Sequence, residues 1–279
     1  MIMGNRIIFL DGQFVTLKPQ EFVSLAPGKV KEQGVFETMR AYEGKIFTLK
    51  EHLERMRRGL RILKIKTPIN AKNVEENLNA LLSKKRLKNT RMRVTVWQEK
   101  GDVRTAMTAE AIKLIPELKY KEGFRVTISS KIHPSGNPYL KAVLYQPFYE
   151  ASLEAERNGF DEAILLNKRR ELVEGTRTNI FFIKNKILYT PAIRLGCLSG
   201  VTRLIVMKLA GRLKIPCRET AAFREDLLNA DEAFLTNSLI EVMAIKSLGQ
   251  RMIGLGKEGP LTRQVREAYR LFVKYTLSI

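Results

Sequence analysis

The apolar pattern of this chain lapses once, over IPELKYKEG (115–123), where Pro116 and Gly123 act as breakers. On either side strand signals and helix signals are mixed, so the lapse divides one chain into two regions of similar complexity. A length of 279 residues allows one large core or two medium ones, because domains commonly hold about 100–150 residues. The expected layout is a small α/β domain over 1–114, a linker over 115–122 and a second domain over 123–279.

In the first region RIIFLDGQFV reads as a hairpin, since Asp11-Gly12 is a turn pair between two short apolar runs. Glu43-Gly44 separates two further strand-like runs in GVFETMRAYEGKIFTL. Two helices follow: Leu53, Met56 and Leu60 share one face, as do Val74, Leu78, Leu81 and Leu82. MRVTVW then alternates as a strand. In the second region strands are expected near FRVTISS, DEAILLN, NIFFIK, KILYT, DEAFLTN and EVMAIK, and helices near 147–158, 200–213 and 260–277. The fold class is α/β (α+β), with antiparallel pairing wherever short turns join strands.

Composition narrows the functions. The apolar runs fall far short of the roughly 18–20 residues that a bilayer span requires, so no membrane role is expected. MIMGNRIIFLDG has no extended apolar stretch or small-residue cleavage site, so no secretory signal is expected and the cytoplasm is the expected location. Cys197 and Cys217 form no CxxC, and with His52 and His133 as its two histidines the chain has no metal-site pattern. The formal charge of +20 could attract nucleic acid, but its basic residues are dispersed through RMRRGLR (55–61), KKRLK (84–88) and NKRR (167–170). No nucleic-acid partner is expected; the charge reads as a solvated surface that suits anionic substrates.

Four segments between Lys141 and Thr236 carry chemistry. Lys141 lies in PYLKAVLY, where burial would leave a neutral amine able to form an imine with an aldehyde; the alternative is a lysine that reaches out to water. Pro147 suits the first turn of the helix that follows, and Gly159 its end. In CLSGVTRLIVMKLA, Ser199 is an expected N-cap and Gly200 lets the backbone approach a ligand, while Thr202 adds a hydroxyl beside the first-turn amides. Leu204, Ile205, Lys208 and Leu209 continue that helix. Thr236-Asn237-Ser238 close an apolar strand with three polar side chains and offer a second wall. Glu174, in LVEGTRTN, could keep a pyridine nitrogen protonated or could be an ordinary turn glutamate.

With GVFETMRAYEGKIFTLKEHLERM (34–56) and GKEGPLTRQVREAY added, the ordered run of LKAVLY, VEGTRTNIFFIKNKILYTP, GCLSGVTR and ADEAFLTNSLIEVM resembles the class IV aminotransferases over nearly the whole chain. These are the fold-type-IV pyridoxal phosphate enzymes. The family includes branched-chain and D-amino acid aminotransferases and 4-amino-4-deoxychorismate lyases. The resemblance implies a small N-terminal α/β domain and a larger C-terminal pseudo-barrel domain with pyridoxal 5'-phosphate between them, in a homodimer. It matches Lys141 to the lysine that holds the cofactor and Tyr145 to the tyrosine on its phenolate oxygen. Glu174 is matched to the partner of the pyridine nitrogen, with Asn179 nearby. Arg55, Gly200, Val201, Thr202 and Thr236 are matched to the phosphate, and Asn237 joins the cofactor set.

The reaction is less constrained by the resemblance. GVFETMR resembles the lyase and D-amino acid branches more than the branched-chain branch and TNSLIEVM resembles the lyase pattern, so the leading expectation is an aminodeoxychorismate lyase that releases pyruvate and 4-aminobenzoate. The alternative is transamination of branched-chain L-amino acids or of D-amino acids. GDVRTAMTAE offers Arg104 without the histidine two residues on that D-amino acid enzymes carry. Arg91 and Arg93 are better candidates for a small amino substrate bearing a carboxylate, although a strand would equally present them as surface charges. Thr38 and Arg177 complete the candidate substrate set. SLAPGKVKEQG (24–34) departs from the family's aromatic, Gly-Asp-rich approach to GVFE, which bears on substrate choice and leaves the cofactor set untouched.

Overall fold

The computed structural model describes residues 6–26, 28–30, 32–67, 69–134 and 136–279. The chain divides into two compact units: Met1–Leu114 with Tyr139–Tyr145 and Ile279, and Ile115–Pro138 with Gln146–Ser278. The first unit holds β1 (Arg6–Leu10), β2 (Gln13–Leu17), α1 (Pro19–Ser24), β3 (Gly34–Tyr42), β4 (Lys45–Ile46), α2 (Leu49–Ile62), α3 (Ala71–Lys85), β5 (Thr90–Glu99) and β6 (Asp102–Ala111). Its strands form an antiparallel sheet in the order β2-β1-β6-β5-β3-β4. Both expected turns are present. Asp11 and Gly12 have φ of 45° and 95°, and Glu43 and Gly44 of 45° and 79°, the left-handed pair that a two-residue hairpin turn requires.

Because strand side chains alternate, one face of this sheet presents Val35, Met39, Met92, Val94, Val96, Met107 and Ala109. They pack with Leu53, Met56 and Leu60 of α2 and with Val74, Leu78, Leu81 and Leu82 of α3, the two stripes expected from spacing. Phe36, Thr38 and Arg40 therefore point to the opposite face, across from Thr95, Arg93 and Arg91. Strand β6 carried no expectation. Its DVRTAMTAEA is short of large apolar residues, and its signal was the turn before it, Lys100-Gly101 with φ of 52° and 94°.

The second unit holds α4 (Glu117–Glu122), β7 (Phe124–Ile132), α5 (Gln146–Arg157), β8 (Glu162–Leu166), β9 (Leu172–Gly175), β10 (Asn179–Lys184), β11 (Ile187–Pro191), α6 (Val201–Arg212), β12 (Cys217–Thr220), α7 (Arg224–Leu228), β13 (Glu232–Asn237), β14 (Glu241–Leu248), β15 (Arg251–Met252) and α8 (Pro260–Leu277). Its mixed sheet runs β12-β11-β10-β13-β14-β7-β8-β9, with β15 on β14, and curls as the pseudo-barrel expectation required. The core gathers Val126, Ile164, Leu172, Ile180, Leu235 and Ile245 with Leu227 and Leu228 of α7. The stretch 115–122, expected as a linker, instead carries α4 and is docked. Tyr120 is buried against the guanidinium groups of Arg266 and Arg270, both of which also pair with Glu117. A single aromatic anchor of this kind leaves no periodic signal in sequence.

Candidate active site

The candidate residues fall into two groups, one in each unit. In the first unit Lys141 lies on an irregular segment that borders the start of β3. Phe36 N–H donates to Lys141 O at 2.9 Å and Val143 N–H to Gly34 O at 3.0 Å, and Val35 pairs with Ala142. These main-chain bonds fix the lysine without using its side chain. Its Nζ lies 4.7 Å from the centre of the Phe36 ring and 5.8 Å from that of Tyr145, and those two rings meet edge to face at 5.6 Å. Helix α5 begins directly after Tyr145, so Lys141 stands on the loop leading into a helix, as expected.

Arg55 is not part of the solvated basic face that RMRRGLR could have formed. It projects from the core side of α2, where β3 presents Glu37. Its Nε and Nη2 donate to the two carboxylate oxygens at 2.7 and 2.6 Å, and His52 Nδ1 lies 2.7 Å from Oε2. Burial by itself would raise the Glu37 carboxyl, but the Arg55 charge and hydrogen bonds, with His52, bring it down to about 2. Burial also lowers His52, against the pull of Glu37, which keeps that imidazole neutral. Neither Glu37 nor His52 was singled out from sequence; the i, i+3 spacing of His52 and Arg55 was the available signal. The folded-state value of Glu37 lies below its ordinary 4.5, so this pair stabilises the fold above that pH and the contribution fades as pH falls from about 4.5 toward about 2. Arg55→Ala is expected to reduce unfolding free energy by about 2 kcal/mol at neutral pH and to flatten that acid dependence. Urea titrations at pH 7 and pH 3 check both; a loss near zero at pH 7 would return Arg55 to the surface class.

Substrate candidates separate clearly. Arg91 pairs with Glu110, which also takes Arg6, so its charge is committed. Arg104 is bound to Asp11 and Glu99. Arg177 is exposed and donates to Ser152 Oγ at 2.8 Å. Arg93 lies opposite Thr38, and its guanidinium sits 5.6 Å from the centre of the same Phe36 ring that Lys141 approaches. In the atypical segment 24–34, Gly28 N–H donates to Val143 O at 2.8 Å and Val30 packs with Phe36 and Trp97; Pro27 and Lys31 lie outside the described residues.

In the second unit Glu174 is a buried side chain, not a surface turn residue. Its Oε2 accepts from Leu198 N–H at 2.9 Å and lies 3.4 Å from Asn179 Nδ2, and its Oε1 lies 2.9 Å from His133 Nε2. The loop after it is built on Glu162. That carboxylate accepts from the Thr176 and Arg177 amides and the Thr176 and Thr178 hydroxyls. Burial pushes Glu162 above its ordinary value, while Thr176 and the amides oppose the rise.

Helix α6 starts one residue later than expected: its N-cap is Gly200, not Ser199, and no side chain caps it. The first helical bond is Leu204 N–H to Gly200 O, so the amides of Val201, Thr202 and Arg203 have no partner within the helix. Leu204, which continues the helix as expected, is exposed. Arg203 is buried in its place, donating to Pro191 O at 3.0 Å and pairing with Glu219. Asn179 connects the helix start to Glu174, donating to Leu198 O at 2.8 Å, and a Cβ at Gly200 would overlap Asn179 Oδ1.

Thr236 pairs with Asn179 across β13 and β10, and directly opposed residues share a sheet face, so its hydroxyl lies on the side of α6. Its Oγ1 is fully buried and has no hydrogen-bond partner among the described residues. An orphaned buried hydroxyl normally marks an absent partner, and beside a helix N-terminus it suits phosphate. Asn237 is used differently from expectation. Its Oδ1 accepts from Leu239 and Ile240 N–H and its Nδ2 donates to Arg177 O, so it builds the turn between β13 and β14. Taken together, the buried carboxylate, the helix start and the orphaned threonine fit a phosphorylated pyridine.

The family described as Amino-transferase class IV matches residues 34–248, and the chain belongs to it: it is a pyridoxal phosphate enzyme of fold type IV. The branched-chain aminotransferase of Thermoproteus uzoniensis, solved with norvaline, superposes with a TM-score of 0.80 at 31% identity, covering 97% of this chain and 95% of that one. A branched-chain amino acid aminotransferase from T.th. solved with pyridoxamine 5'-phosphate is 26% identical with a TM-score of 0.86 and the same coverage. An aminodeoxychorismate lyase of Bacillus subtilis is 29% identical over 280 residues, 96% of this chain and 95% of that protein. Several other relatives carry branched-chain aminotransferase names. The leading expectation of a lyase is therefore not favoured over transamination. No described helix is long and apolar enough to cross a membrane.

Proposed function

We propose that the protein transfers the amino group of a branched-chain type amino acid to a 2-oxo acid. The observation that carries this reading is the placement of Arg93 and Lys141 around one ring, at 5.6 and 4.7 Å from the centre of Phe36. A carboxylate held by Arg93, with Thr38 beside it, sets the neighbouring amine-bearing carbon toward the lysine. Bound pyridoxal phosphate supplies a conjugated ring that accepts the electron pair left on that carbon. Lys141 would hold the cofactor and, with substrate bound, would move the proton of the α-carbon. Tyr145 orients the phenolate oxygen. Glu174 would keep the ring nitrogen protonated, while Thr236 and the Gly200-Val201-Thr202 helix start would hold the phosphate. The sequence relatives support this substrate class, and a cytoplasmic homodimer accompanies the reading.

Two results test it. In a half-reaction screen, branched-chain amino acids are expected to discharge the cofactor's visible band and release 2-oxo acids faster than aminodeoxychorismate yields 4-aminobenzoate. The L and D forms run side by side assign stereochemistry. Faster 4-aminobenzoate formation would transfer the assignment to the lyase, the reading that the Bacillus subtilis relative supports. Gly200→Ala is expected to weaken pyridoxal phosphate affinity by roughly tenfold, since the added methyl displaces Asn179 from the helix start. Titration of the apoenzyme measures this; unchanged affinity would separate Asn179 and α6 from the cofactor.

A further inference from the structure

His133 is a buried titratable side chain that takes no part in the proposed reaction. It lies eight residues before Lys141 in sequence, and its side chain is fixed in the second unit. Its ring meets Phe148 edge to face at 5.2 Å, its Nε2 lies 2.9 Å from Glu174 Oε1, and its Nδ1 is buried with no hydrogen-bond partner among the described residues. A carboxylate takes a nitrogen that bears a proton, so Nε2 carries hydrogen. An N–H at Nδ1 would then be a buried unpaired donor, which costs more than a bare lone pair. The tautomer that fits is the neutral Nε2–H form.

The surroundings of Glu174 are then all neutral donors: His133 Nε2–H on Oε1, and Leu198 N–H and Asn179 Nδ2 on Oε2. Cys197, the nearby acidic group, is pushed by burial up to about 12 and stays a thiol. Three donors among the described residues converge on this carboxylate. We infer that His133 is a positioning residue, whose hydrogen bond to Glu174 keeps the shared proton on the ring nitrogen of the bound cofactor instead of on the carboxylate. The inference rests on Glu174 being the partner of that nitrogen. Removing the His133 donor raises the proton affinity of Glu174, and the proton is drawn off the ring.

The test uses holoenzyme loaded with pyridoxal phosphate carrying 15N in the ring, and reads the nitrogen shift by NMR at pH 7.5. Wild type and His133→Gln, whose amide reaches the same position, are expected at the protonated shift. Glu174→Gln is expected at the unprotonated shift, and His133→Phe well toward it, with at least a tenth of the ring nitrogen unprotonated. His133→Asn, too short to reach Oε1, carries the same expectation if the phenylalanine variant does not fold. A wild-type shift in both His133→Phe and His133→Asn beside a moved Glu174→Gln overturns the role of His133 alone, even where melting temperature falls. A wild-type shift in Glu174→Gln overturns the assignment of Glu174 and this inference together.

Discussion

Lys141→Ala is expected to abolish turnover, by about 10⁴-fold or more, while leaving the protein folded. The size of the effect follows from two losses at once, the covalent hold on the cofactor and the base that moves the α-proton. Folding should survive because the segment is held by its main chain. Phe36 N–H to Lys141 O and Val143 N–H to Gly34 O do not involve the side chain, and the lost approach of Nζ to the Phe36 and Tyr145 rings is worth only about 0.5–1 kcal/mol. Single-turnover rates with amino acid, alongside far-ultraviolet circular dichroism, separate chemistry from fold. A variant that turns over within tenfold of wild type would remove Lys141 from the reaction.

Glu174→Gln is expected to keep its cofactor and slow α-proton removal by about 10²-fold or more, equivalent to roughly 2.7 kcal/mol of barrier. Glutamine keeps the shape of the side chain and its oxygen can accept from Leu198 N–H, while its amide facing His133 puts that ring in the Nδ1–H tautomer at the cost of one buried unpaired donor. What it cannot do is carry the negative charge that holds a proton on the pyridine. The deuterium isotope effect on the half-reaction should rise as proton removal becomes slower than the other steps. A rate within threefold of wild type would leave Glu174 as a structural residue of the loop that Glu162 builds.

Much of this was readable in advance where a local rule generates the structure. The Asp11-Gly12 and Glu43-Gly44 turns, the stripes of α2 and α3 and the strands around DEAILLN, NIFFIK and DEAFLTN follow from turn chemistry and periodicity. The N-cap of α6 was displaced by one residue because Ser199 and Gly200 both suit that position, and only the path of the chain chooses. Other features have no local generator. Strand β6 is recruited by its ladder with β5, and α4 by the guanidinium pair on α8 around Tyr120.

For the site the division is sharper. The sequence by itself determined the family and the cofactor, and it proposes the ordered set of Lys141, Tyr145, Glu174, Gly200 and Thr236, because residue types and their order carry that resemblance without reference to space. It could not say how Arg91, Arg104 and Arg177 are held, since arginines look alike until their neighbours are known. Folding supplied those neighbours: Glu110 takes Arg91, Asp11 and Glu99 take Arg104, and Ser152 binds Arg177. Likewise Arg55 became a buried partner of Glu37 and His133 a partner of Glu174 only when distant segments met. Hydrogen bonds and ion pairs act over about 3–4 Å, and the His133–Glu174 pair joins residues 41 positions apart, a separation to which no sequence period corresponds.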